Sequence, residues 1–145
     1  MDIRIKKLDQ KAKIPTRGSE HAAGWDLYAC LDNPILIKAG ETIKVKTGLS
    51  FEVPVGYAGF VFARSGLATS QGLAPANKVG VCDPDYRGDY TVALHNHSDK
   101  NVIVEPYDRI AQVVFMPYLE TNLILSDELS ETVRGVGGFG STGVK

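Results

Sequence analysis

The chain has 145 residues, 43% of them hydrophobic and 23% charged, proportions that suit one ordinary globular domain with a buried core. Its formal net charge of −1 excludes a global field that would steer it to nucleic acid or an anionic membrane, although a local basic cluster could still hold phosphates. No apolar run is long enough to span a bilayer.

From the N-terminus, Met1 to Lys7 alternates charge with isoleucine, where a secretory leader would carry an apolar stretch. A cytoplasmic setting is expected, with a nuclear or viral one left open. Ile3-Arg4-Ile5, Ile43-Lys44-Val45 and Phe51-Glu52-Val53 have the period of half-buried strands. Phe60-Val61-Phe62-Ala63 and Val113-Val114-Phe115-Met116 are continuous apolar runs, as in strands covered on both faces. Tyr90 to Leu94 and Asn101 to Val104 are rich in β-branched residues. Turn signals separate these runs, among them Asp32-Asn33-Pro34, Pro54-Val55-Gly56, Asp83-Pro84-Asp85 and Arg87-Gly88-Asp89. Many short strands with frequent turns predict an all-β sandwich or barrel. One short helix is predicted over Gly66 to Gln71, with Ser65 near its N-terminus.

The two cysteines, Cys30 and Cys82, sit in strand-like surroundings without a CxxC spacing and read as reduced thiols. Together with His21, His95 and His97 they give too few ligands, too far apart, for zinc, and the histidines receive no role. The last dozen residues crowd Gly135, Gly137, Gly138, Gly140 and Gly143 around Phe139, Ser141 and Thr142. Such a segment buries little and loses much entropy on ordering, so residues 133–145 are expected to form a flexible tail ordered by a ligand, beside a core over residues 1–132. Gly137 to Thr142 is no nucleotide P-loop, since no Lys precedes Ser141-Thr142.

Five segments concentrate chemistry: Ala23 to Ala29, Ala63 to Ala68, Gly80 to Gly88, Asp108 to Gln112 and Arg134 to Gly143. Arg64 and Arg134 can clamp phosphate oxygens through a guanidinium fork. Ser65, Gln112, Ser141 and Thr142 add neutral hydrogen bonds, and the adjacent glycines let backbone N–H groups approach an anion. Asp83, in a tight turn, is a candidate general base. Tyr86 and Phe139 can each cover one face of a flat ligand.

In this order and spacing the five segments resemble the five motifs of the trimeric dUTP pyrophosphatase (dUTPase) family, over nearly the whole chain from Ile3 onward. The resemblance implies a β jelly roll assembled as a homotrimer with shared sites, binding no nucleic acid and no membrane. It implies Mg²⁺-dependent hydrolysis of dUTP to dUMP and pyrophosphate, which would keep uracil out of DNA and supply dUMP for thymidylate synthesis. By the same resemblance Asp83 would activate the attacking water, Tyr86 would exclude a ribose 2′-hydroxyl, and Asn77 with the following backbone would read uracil. Arg64, Ser65, Gly66 and Gln112 would hold the phosphates. Asp26 would lie near the hydrated metal. Arg134, Gly140, Ser141 and Thr142 would close on the γ-phosphate, and Phe139 would stack on uracil. Ala63, Trp25 and Cys82 depart from common family residues but keep small or apolar side chains. Cys82 beside Asp83 predicts sensitivity to thiol reagents. A dCTP deaminase and a non-catalytic binding module are the alternatives. The deaminase-type Glu signature is missing, and both Asp83 and the tail are kept.

Overall fold

The computed structural model describes residues 1–138; Phe139, Gly140, Ser141 and Thr142 lie outside the described residues. Eleven strands and one short helix follow in chain order: β1 (Arg4–Lys7), β2 (Trp25–Tyr28), β3 (Ile35–Ile37), β4 (Thr42–Val45), β5 (Leu49–Glu52), β6 (Tyr57–Phe62), α1 (Ser65–Gln71), β7 (Leu73–Pro75), β8 (Val79–Cys82), β9 (Val92–Asn96), β10 (Val102–Val104) and β11 (Arg109–Pro117). Every pairing among them is antiparallel. The strands form ladders in the orders β1-β5, β3-β10, β2-β11-β6-β8 and β4-β9-β7. This is the expected all-β jelly roll, with its one short helix.

The continuous apolar runs lie where the pattern puts them. β11 is flanked by β2 and β6, and β6 by β11 and β8, so both lie inside the largest sheet. The core gathers Leu27, Ile37, Leu49, Phe51, Leu73, Tyr90, Leu94, Ile110 and Val113. β1 departs from its half-buried pattern. It is an edge strand paired with β5 alone, and all four of its residues are exposed, Ile5 included. β2, β3, β7 and β8 are strands that the sequence pattern does not single out. Each is three or four residues long, like several strands that the pattern does mark, but none shows strict apolar–polar alternation.

Asn96 is the buried polar tie of the smaller sheet. It donates to the carbonyls of Ile37 and Lys100 at 3.0 and 2.7 Å and accepts from Ser98 N and Oγ at 3.0 and 2.7 Å. All its hydrogen-bonding capacity is engaged, so its burial costs little. α1 ends at Gly72, whose φ of 71° is left-handed, the usual place for glycine after a helix. Among the described residues, regular structure ends with β11. Residues 118–138 carry neither helix nor strand.

Candidate active site

The four strands of the largest sheet bring the first, second and fourth segments together. Asp26 on β2 pairs with Gln112 on β11, and Gln112 pairs with Phe62 on β6, two residues before Arg64. The result is a cavity of about 200 Å³ whose lining includes Asp26, Arg64, Ser65, Gly66, Arg109 and Gln112. Asp26 is 8% exposed. Its Oδ1 accepts from Arg64 Nε at 2.8 Å and its Oδ2 from Arg109 Nη1 at 3.2 Å. Two guanidiniums against one carboxylate leave the recess with net positive charge, as an anion site requires. Arg64 is the N-cap residue of α1, in extended conformation with no side-chain cap. Ser65 therefore opens the helix, as the sequence predicts. Gln112 Nε2 donates to Ala63 O at 2.9 Å, which fixes its amide above Gly24.

A second cavity, of about 250 Å³, is lined by Asn77, Gly80, Cys82, Asp83, Tyr86 and Tyr90 among others. It shares no lining residue with the first. Asn77 lies in the turn into β8, where Lys78 takes a left-handed φ of 64°. Asp83 follows β8 and is exposed; it also borders a larger recess with Val55, Phe60 and Tyr118. The loop after it is tied down by its own atoms. Tyr86 N donates to Asp83 O at 3.1 Å, Arg87 Nη1 to Pro84 O at 2.6 Å, and Tyr86 Oη to Asp89 O at 3.1 Å. Asp89 in turn accepts from Thr47 N and Gly48 N at 3.1 and 3.0 Å, which anchors the loop to the link between β4 and β5.

Antiparallel pairing separates Asp83 from Arg64. β6 runs toward Arg64 while β8 runs away from it, with Phe62 opposite Val79 and Gly59 opposite Cys82. Asp83, four residues beyond Val79, is therefore displaced along the sheet by roughly 13 Å at strand rise. Within one chain, Arg64 and Asp83 stand at opposite ends of the β6-β8 pair. Arg134 is elsewhere again, on the C-terminal arm, where its Nε donates to Gly137 O at 2.8 Å.

The structure adds residues that the sequence did not single out. Gly24 lies against Gln112, Gly80 against Asn77 and Gly88 against Tyr86. A Cβ at Gly24 or Gly88 would overlap that side chain, and one at Gly80 would crowd Asn77 at 3.1 Å; only spatial pairing reveals this. Arg109 stands in the fourth segment without a role until the Asp26 contact is seen. Tyr90 is 2% exposed, and among the described residues its hydroxyl has no oxygen or nitrogen partner, only the Cys82 thiol beside it. Burial pushes the Cys82 thiol up from 9.0. Because the thiolate is the reactive form, this opposes the expected thiol-reagent sensitivity. Among the described residues no group of three His, Cys, Asp or Glu could hold a metal ion.

An all-β chain with a cationic, hydroxyl-bearing recess and a separate amide, aromatic and carboxylate cavity has the parts of a nucleotide-binding protein. The dUTPase family profile matches residues 10–143, and the chain belongs to the dUTPase family. It is 50% identical over 139 residues to the deoxyuridine 5'-triphosphate nucleotidohydrolase of Desulfitobacterium hafniense, covering 95% of this chain and 92% of that one. It is 43% identical over 145 residues to the protein of that name from Hydrogenobaculum sp., with both chains covered completely at 100%. Among solved structures, Staphylococcus bacteriophage 80alpha dUTPase with dUPNHPP superposes with a TM-score of 0.89 at 25% identity, over 99% of each chain. No helix among the described residues is long and apolar enough to cross a membrane.

Proposed function

We propose that the protein is a dUTP diphosphatase that hydrolyses dUTP to dUMP and pyrophosphate, with the two cavities as halves of one site. The observation that carries this reading is the pairing of Asp26, Arg64, Arg109 and Gln112 in a net cationic recess, on a chain of the dUTPase family. Relatives sharing half of the residues bear the name of that activity.

Arg64, Ser65, Gly66 and Gln112 bind the phosphate chain. Asn77 and the backbone into Gly80 pair with the uracil edge, and Tyr86 packs against the deoxyribose. Asp83 accepts a proton from water as the water oxygen attacks the α-phosphorus. The α–β phosphoanhydride bond breaks, and its electrons leave with pyrophosphate. Such transfer asks mainly for positioning and charge neutralisation, which matches a site with few carboxylates.

Mg²⁺ fits this donor set as an ion held chiefly by the triphosphate and water, its usual ligands. Both Asp26 oxygens already accept from guanidiniums, so Asp26 suits a contact through water rather than direct ligation. When bound, the ion supplies charge neutralisation on the phosphates.

Arg64 and Asp83 stand at opposite ends of one chain's β6-β8 pair and line separate cavities. This separation supports sites shared between copies in a homotrimer. So does the C-terminal arm, whose Leu119, Leu123, Ile124, Leu125 and Leu129 are 86–98% exposed, an apolar stretch that suits burial against a second copy. Residues 1–132 then form the core and residues 133–145 a lid, through which Arg134, Gly140, Ser141 and Thr142 reach the γ-phosphate and Phe139 the base.

The test is pyrophosphate release from dUTP with Mg²⁺, beside dCTP, dTTP and UTP, with the mass in solution measured by light scattering. Release confined to dUTP from a trimer is the expected result. Absence of release from a folded trimer would overturn the proposed reaction.

A further inference from the structure

Arg109 opens β11 beside a β-bulge. Gln112 pairs with Asp26 and Ala111 with Leu27, so a regular ladder would set Ile110 opposite Tyr28; Arg109 stands there instead. Residues paired across a ladder share a face of the sheet. The extra residue therefore carries Arg109 onto the face of Asp26 and Gln112, while Ile110 enters the core at 1% exposed. Without the bulge the parity would reverse, and Arg109 would point away from the recess. Bulges next to functional sites commonly re-aim one side chain in this way.

The re-aimed side chain closes a ring. Arg109 Nη1 donates to Asp26 Oδ2 at 3.2 Å, Asp26 Oδ1 accepts from Arg64 Nε at 2.8 Å, and Arg64 Nη1 donates to the Arg109 carbonyl at 3.3 Å. Arg64 is thus held at two points, the Asp26 carboxylate that the Arg109 side chain also grips and the Arg109 backbone carbonyl, while its Nη2 has no hydrogen-bond partner among the described residues. The charge arithmetic points the same way. Asp26 and Arg64 alone would form a neutral pair. Arg109 takes part of the Asp26 charge and restores one net positive charge to the recess.

We infer that Arg109 is a positioning residue for Arg64: through Asp26 and its own carbonyl it sets the Arg64 guanidinium toward the phosphates and keeps that guanidinium's charge available to them. This rests on the reading of the recess as the phosphate half of the site.

The test uses the full chain with the variants Arg109→Met, Arg109→Lys, Arg64→Met and the double methionine variant, assayed for dUTP hydrolysis with Mg²⁺. Loss of one charge-assisted hydrogen bond predicts that Arg109→Met lowers kcat/KM by about 10- to 100-fold, mainly through KM. Arg109→Lys, which keeps the charge and one donor to Asp26, regains most of that loss. The double variant is no worse than Arg64→Met, because residues acting through one another are non-additive. Titration of the same proteins with inorganic tripolyphosphate reads the same coupling without turnover, so failure of the proposed reaction and failure of the positioning role are told apart. If Arg109→Met does not fold, Arg109→Gln replaces it in the comparison. Additive losses in the double variant, which would mean that Arg109 holds phosphate independently, or an Arg109→Met protein with wild-type activity and tripolyphosphate affinity, would overturn the inference.

Discussion

The ring of Tyr86 lies directly over the backbone of Gly88: a Cβ built there would stand 2.5 Å from Tyr86 Cζ and 2.8 Å from Cε2. A rigid ring cannot yield to such a contact without turning away. Its hydroxyl, bonded to Asp89 O at 3.1 Å, would lose that anchor. Gly88→Ala therefore displaces the side chain proposed to reject a 2′-hydroxyl. Discrimination by steric fit is worth roughly 10- to 200-fold for a group of about methylene size, and the variant is expected to lose about tenfold in its preference for dUTP over UTP. The ratio of the two kcat/KM values measures it. An unchanged ratio would remove Tyr86 from the choice of sugar.

Asp83 is exposed and its side chain has no hydrogen bond among the described residues, so its carboxylate is free to take a proton from water. General base catalysis contributes typically about 10²- to 10⁴-fold. Asp83→Asn is expected to lose that much kcat while binding dUTP with an affinity near that of the wild type, since no phosphate clamp is touched. Single-turnover kinetics and calorimetry with a non-hydrolysable dUTP analogue separate the two. Turnover near the wild-type rate would assign the proton to another group.

How much of this was legible in the sequence depends on the range of the interaction. Continuous apolar runs mark β6 and β11 because both lie inside a sheet, and α1 shows through its local composition. β2 and β8 lack strict apolar–polar alternation and so do not announce themselves, yet they carry Asp26 and lead into Asp83. The segments bearing Arg64 and Gln112 are readable one at a time. Their meeting across β2, β11 and β6 is a matter of register, which no local pattern encodes. The same holds for Arg109, whose direction is set by one extra residue in a ladder. The pressure of Gly24 on Gln112, with a built Cβ 3.2 Å from Cδ, is likewise invisible until strands pair.

Tyr90 offers a test of stability and pH. Among the described residues its buried hydroxyl has no oxygen or nitrogen partner, only the Cys82 thiol beside it, a weak partner, and a poorly satisfied buried polar group costs about 1–3 kcal/mol. Tyr90→Phe keeps the ring against Phe51, whose centroid is 4.4 Å away, and is expected to stabilise the chain by about 1 kcal/mol, less than the full cost because a small void remains. Chemical denaturation at pH 7 measures this. Burial raises the Tyr90 hydroxyl above its ordinary 10.0 and the Cys82 thiol above 9.0, and the two groups interact. Both therefore keep their protons in the folded state where the unfolded chain releases them. By linkage their stabilising contribution is complete below about pH 9, and it falls as pH rises from there toward the raised folded values. Denaturation midpoints at successive pH values above 9 should decline more steeply for the wild type than for a Tyr90→Phe, Cys82→Ala variant. Equal slopes would show that neither group governs alkaline stability. The same protonated state predicts slow alkylation of Cys82 at neutral pH.

Removal of everything after Thr132 separates the two proposed roles of the C-terminal region. The apolar arm, with Leu119, Leu123, Ile124, Leu125 and Leu129, stays in place, so the truncated chain is expected to keep its oligomeric mass. It loses Arg134, Ser141 and Thr142, the proposed partners of the γ-phosphate, and Phe139, the proposed cover of the base. Lid closure excludes water and completes a site, and misplacement of a substrate by even 1 Å can cost about 100-fold. Turnover should fall by at least that factor. Light scattering and dUTP hydrolysis on the same sample check both halves. Full activity would leave the tail without a catalytic part, and loss of the oligomer would place subunit contacts beyond Thr132 rather than in the leucine-rich arm.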